Sequence, residues 1–173
     1  MKSMKNISEE AIALVLLSSI EKLLPLLSQC DGYSFALDTM TDCWNWYHNK
    51  TIKAVDLYYR LENFDEISIS DYLEEEEDKT RECIWNAYVD ALAYAIKIAY
   101  YFEGQRHLPQ CIEIVNEETL EHFFKMVDNV LDDNGVFSKH CESFLSNYKS
   151  DSFCNIDEKT IQNFVKNNFP KII

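Results

Sequence analysis

Apolar positions recur along this chain at three- and four-residue spacings, the period of an amphipathic helix, in seven separate segments. Behind Ser8, a candidate N-cap, Ile12, Leu16, Ile20, Leu23 and Leu27 fall on one face. Pro25 lacks an N–H and crowds the preceding turn, so it should end or kink that helix near Leu24. After the Asp31-Gly32 turn, Tyr33, Ala36, Leu37, Met40, Trp44 and Tyr47 repeat at i, i+3, i+4 and i+7. Thr51 is a candidate cap for a third helix that buries Ile52, Val55, Tyr59 and Tyr58. A polar stretch from Glu62 to Asp71 then leads into a long helix from about Asp71 to Phe102. Gly104 stops it, with Pro109 beyond.

Three further segments follow. Asn116 caps a helix with Leu120, Phe123, Phe124, Val127, Val130 and Leu131 on one face. Cys141, Phe144, Leu145 and Tyr148 mark a short helix after the Asn134-Gly135 turn. Asp157 caps a last one burying Ile161, Phe164 and Val165. Alternation of period two is confined to brief hints at Ile67-Ser68-Ile69 and from Cys111 to Val115. The pattern predicts an all-α fold: one domain, residues 1–173, a bundle of about six to seven helices around a long apolar central helix.

Composition narrows the picture. A chain of 173 residues can bury one core, and 47% apolar with 13% aromatic residues is too rich for disorder. Acidic residues outnumber basic ones 30 to 16, a net charge of −14. That balance argues against nucleic-acid contact, which needs Lys and Arg on phosphates, and against anionic membrane surfaces. Cys83 to Phe102 is long and apolar, yet Asn86, Asp90 and Lys97 interrupt it along one stripe, as in a soluble bundle's central helix with one wet edge. Lys2 and Lys5 precede the apolar run Ala11–Leu17, but Glu9 and Glu10 intervene, so an amphipathic first helix is expected rather than a leader.

The six cysteines (30, 43, 83, 111, 141 and 154) form no C-x-x-C, and four of them, Cys30, Cys43, Cys83 and Cys141, fall in or at the end of helical segments. Reduced thiols in a cytoplasmic protein are expected. The histidines at 48, 107, 122 and 140 complete no metal-binding spacing. With three glycines there is no Gly-rich phosphate loop and no G-x-S-x-G. No catalytic, metal or cofactor residues stand out, and a binding protein rather than an enzyme is expected.

The strongest local feature is acidic. Between Glu62 and Glu82 ten acidic residues face two basic ones, Lys79 and Arg81. The run Glu74, Glu75, Glu76, Glu77 and Asp78 reads either as a solvated first turn favoured by the helix dipole or as a docking surface for a basic partner. Four consecutive Glu cannot share one helix face, so the run would present a broad field. Trp46 lies about 200° around the helix from Trp44 and off the apolar stripe. It either packs on a second neighbouring helix or serves as a partly exposed interface anchor. Trp85 is expected in the core.

Two stretches carry a family likeness: Asp42-Cys43-Trp44-Asn45-Trp46, leading to Leu57-Tyr58-Tyr59, and Leu108-Pro109-Gln110 followed by Ile114-Val115-Asn116-Glu117-Glu118-Thr119-Leu120. Across roughly residues 10 to 130 the chain resembles the sixth immunity-protein family of bacterial polymorphic toxin systems. The resemblance implies a mostly helical, non-enzymatic cytoplasmic protein that binds and neutralises a cognate toxin. It also implies an acidic residue–Arg pair, for which Arg60 and Arg81 are the candidates. A nuclease toxin is basic because it holds a polyanion, so an inhibitor of this charge would meet it under electrostatic steering. The alternative is a helical adaptor that self-associates through aromatic faces including Trp46.

Overall fold

Ser8 opens the first helix, its side chain accepting the backbone N–H of Ala11 at 3.4 Å. In the computed structural model, which describes residues 7–149 and 157–170, helix α1 spans Glu9–Leu23. Lys2, Lys5 and Cys154 lie outside the described residues. Pro25 ends α1, and the chain tightens into a 3₁₀ turn over Leu24–Leu27. Then follow α2 (Tyr33–Asn49), α3 (Ala54–Leu61), α4 (Ile69–Glu74), α5 (Lys79–Phe102), α6 (Gln110–Glu113), α7 (Glu117–Leu131), α8 (Val136–Leu145) and α9 (Glu158–Asn168). Among the described residues there is no strand, only an isolated bridge between Ile7 and Lys149. The chain is all-α.

Helix α5 packs against α1, α3, α4, α6 and α7, and is buried over most of its circumference from Ile84 to Tyr100. Helix α1 is buried on every side from Ala11 to Ile20, with α9 over its outer face, so the expectation of an amphipathic first helix is corrected. The interior is a pair of helices rather than one. The stripe Asn86, Asp90 and Lys97 is drier than expected, with Asn86 alone half-buried. Asp90 and Lys97 are buried, and each polar group has a partner. Lys97 Nζ donates to Glu9 Oε1 and to the Val115 carbonyl, both at 2.8 Å, and so ties α5 to α1 and to the start of α7. Asn86 donates to the Glu82 carbonyl at 2.9 Å.

Several boundaries move. The long helix expected from Asp71 to Phe102 is two helices, because Ser68 and Asp78 each cap a separate start. At its far end Gly104, at φ 72°, closes α5: Gln105 N–H bonds Tyr100 O and Gly104 N–H bonds Tyr101 O, each at 3.0 Å. Helix α3 begins at Ala54 with Lys53 as its cap, and buries Ala54, Leu57 and Leu61 while Tyr59 stands out in solvent. The alternation at Cys111–Val115 is a helical turn, α6, and its exit.

On α2 the buried stripe is Ala36, Thr39, Met40, Cys43 and Trp46, rotated from the one the spacing predicts. Trp46 is 3% exposed, edge-on to Phe102 at 6.2 Å, with the Lys50 ammonium 3.7 Å above its ring. It is Trp44 that sits at the margin, its indole N–H donating to Glu21 at 2.7 Å. Of the two readings of Trp46, packing on a second helix is the one the fold shows, since the end of α5 covers it, and the partly exposed anchor is corrected. The self-association reading loses the exposed ring it rested on.

Candidate functional site

Gly32, in the α1–α2 turn, has the ring of Tyr72 against its backbone, where an added Cβ would stand 2.6 Å from ring carbons. From that contact an aromatic ladder runs inward. Tyr72 stacks on Trp85 (centroids 5.8 Å, planes 17° apart), Trp85 stacks on Tyr88 (6.4 Å, 16°), and the Tyr88 hydroxyl donates to the Ala36 carbonyl at 2.7 Å. Phe35 touches Tyr72 from α2 at 5.8 Å. The ladder clamps α4, only six residues long, onto α2 and α5. Such a short helix has little stability of its own and needs this packing.

What the clamp positions is the acidic run, which lies across the exit of α4 and the entry of α5 and not within a helix's first turn. Its five members divide by role. Asp78 caps α5, accepting from the N–H groups of Thr80 (3.0 Å) and Arg81 (2.9 Å). Glu76 turns inward, its side chain 9% exposed, and takes Arg81 Nη2 at 2.9 Å and the Asp78 N–H at 3.0 Å. Burial works to raise the Glu76 carboxyl, but those hydrogen bonds outweigh it and hold it below the usual carboxylate range. Glu74, Glu75 and Glu77 face solvent, with no ion pair among the described residues. Behind them a cavity of about 250 Å³ opens between Cys30, Asp31 and Gly32 on one side and Tyr72, Glu75 and Glu76 on the other. Cys30 Sγ lies 3.8 Å from Glu76 Oε2 across it.

Gly32→Ala should unseat Tyr72 and lower stability by about 1–3 kcal/mol, the usual cost of forcing a methyl into a packed contact. Gly32 has a helical backbone at φ −75°, so strain from the turn itself does not contribute. Chemical denaturation checks it, and unchanged stability would mean that the ring can slide away freely.

Both candidate arginines hold an acid. Arg60 reaches Asp42 of the Trp-rich stretch at 2.7 Å and lies over Phe35 at 5.2 Å, joining α3 to α2 beside the ladder. Arg81 holds Glu76 and knots the acidic loop. The first pairing does not show in sequence spacing, since Asp42 and Arg60 sit on different helices.

A third charged pair lies elsewhere. On α5, Asp90 meets His122 of α7 at 2.7 Å. Burial pushes the Asp90 carboxyl up to about 6, against the opposing hydrogen bond and charge of His122. Between its ordinary value near 3.8 and about 6 the folded chain thus holds a proton that the unfolded chain has lost. The stability contributed through Asp90 falls as pH rises through that window. Asp90→Asn should flatten this slope. Denaturation midpoints of the two proteins on either side of the window check it, and parallel curves would contradict it.

The remaining nucleophile and ligand types show no comparable assembly. The five described cysteines are free, and burial pushes the Cys43 thiol up to about 12 and raises Cys141 further. His48 pairs with Glu158 at 2.9 Å, while His107 and His140 are exposed. Among the described residues no group of three or more His, Cys, Asp or Glu is placed to hold a metal ion, and no helix is long and apolar enough to cross a membrane.

Comparison with curated proteins and comparison with solved structures each find no significant match. A family profile does match, that of immunity protein Imm6, over residues 11–130. The matched region runs from the first turn of α1 to the last turn of α7. It holds the aromatic ladder, both arginine pairs and the acidic run, and leaves out α8 and α9. On a match covering more than two thirds of its length, this chain belongs to the Imm6 immunity protein family.

Proposed function

We propose that the chain binds a cognate toxin domain with a basic, nuclease-type surface and neutralises it by covering that surface with the acidic face around Glu74, Glu75 and Glu77. Membership of an immunity-protein family supports a toxin partner. The net charge of −14 supports a basic one, through steering that raises encounter rates and favours opposite potential. The observation that carries the choice of face is the division of labour in the acidic run. Glu76 and Asp78 are spent on internal structure, and three carboxylates are left pointing outward on a segment held rigid by the ladder. A preformed site loses less ordering entropy on binding. The protein acts without catalysis, in the cytoplasm of a bacterial cell, and the free thiols support a reducing compartment.

The test is a binding measurement with the C-terminal domain of the protein encoded by the adjacent gene, at low and high ionic strength. A complex whose formation slows as salt rises is expected. No complex at any ionic strength would refute the proposal.

A further inference from the structure

The loop that enters α4 carries the most exposed large apolar side chain among the described residues. Phe64 is 94% exposed, and Ile67, three residues on, is 51% exposed. Tyr59, on the last turn of α3, is also 51% exposed. An aromatic ring held in water contributes nothing to folding, and Phe is among the residues enriched at interface cores.

The loop is also tied at both ends. Glu62 N–H bonds the Tyr58 carbonyl at 2.9 Å where α3 ends, and Asp65 N–H bonds Asn63 Oδ1 at 3.0 Å beside the ring. At the far end Ser68 gives both its N–H (2.7 Å) and its hydroxyl (2.6 Å) to Asp71. Phe64 is thus presented by a short, pinned segment rather than by a free tail.

Charge says what kind of partner covers it. Phe64 stands between Glu62 and Asp65-Glu66, and the loop lies across α4 from Glu74, Glu75 and Glu77. The six residues of α4 separate the two loops by roughly 9 Å of helix axis, well inside the span of one standard interface. An apolar anchor within an acidic rim complements a basic surface that contains an apolar pocket. A second copy of this chain would bring the same negative rim against it.

We infer that Phe64, with Ile67 beside it, is the apolar anchor by which the chain holds a basic protein partner, the acidic residues on both sides of α4 forming the rim. This rests on the function proposed above and divides the work of the interface. The carboxylates govern how fast the partner arrives, and Phe64 governs how slowly it leaves.

Binding kinetics of Phe64→Ala with the adjacent-gene toxin domain test the division. The variant should dissociate about 10- to 100-fold faster, as for a hot-spot residue, with the association rate, its salt dependence and the thermal midpoint unchanged. Ile67→Ala should shift dissociation the same way by less. A wild-type dissociation rate in Phe64→Ala, with the complex still forming, overturns the anchor and leaves the proposed function standing. A wild-type protein that sediments as a dimer and becomes monomeric on Phe64→Ala also overturns it, by assigning the patch to self-association. Failure of the wild-type chain to bind at all refutes the proposed function, and the anchor with it.

Discussion

Trp85→Ala will lower the stability of the chain by about 3–5 kcal/mol, the range for emptying a large aromatic from a packed core. Trp85 is fully buried and sits in the middle of the ladder, stacked with Tyr72 and with Tyr88. The lost indole leaves a cavity that α5, packed on α1, α2, α3, α4, α6 and α7, cannot collapse to fill. The loss also has a local component. Tyr72 loses its stacking partner and keeps Phe35 and the Gly32 backbone, so α4 should loosen before the rest of the bundle unfolds. Denaturant titration reads the global loss. Hydrogen exchange should show protection falling further in residues 69–78 than in α1. Uniform loss across the chain would mean that the ladder is core filling and does not hold the acidic run in place.

The second large effect is electrostatic. Reversing Glu74, Glu75 and Glu77 to Lys takes the net charge from −14 to −8 and inverts the sign of the outward face. Association with a basic toxin domain should slow by roughly 10- to 100-fold at low salt, since steering of this kind raises on-rates by 10–10³. The gap between variant and wild type should narrow as salt rises and screening shortens the reach of each charge. All three side chains are exposed and engaged in no described hydrogen bond or ion pair, so the fold should be unaffected. Glu76→Gln is a different experiment, because Glu76 carries the Arg81 knot. That variant should loosen the loop as well as alter its charge.

The helical class, the caps at Ser8, Asn116 and Asp157, and the stop at Pro25 follow from local chemistry and are legible residue by residue. The break between α4 and α5 was legible in principle. Ser68-Ile69-Ser70-Asp71 has capping-box spacing, and Asp78 precedes a strongly apolar run. A continuous reading of Asp71–Phe102 passes over both, because acidic residues suit a helix's first turn equally well. The rotation of the α2 stripe could not be read from spacing. Trp44, Trp46 and Tyr47 are all bulky and apolar, and which of them turns inward depends on where the end of α5 lies. The same holds for Asp42–Arg60, Gly32–Tyr72 and Asp90–His122, which join residues far apart in the chain. One of the two stretches that carry the family likeness holds Asp42 and Trp46. In the fold these residues pack α2 against α3 and the end of α5, so what the motif marks is architecture more than contact surface.

A chain that neutralises its toxin by covering it, as proposed, must do so stoichiometrically. The most direct measurement titrates purified chain into a fixed amount of the adjacent-gene toxin domain and follows the toxin's activity. Activity should decline in a straight line that ends at one chain per toxin domain, displaced to weaker inhibition by the triple charge reversal. Undiminished toxin activity at a large molar excess of the chain would contradict it.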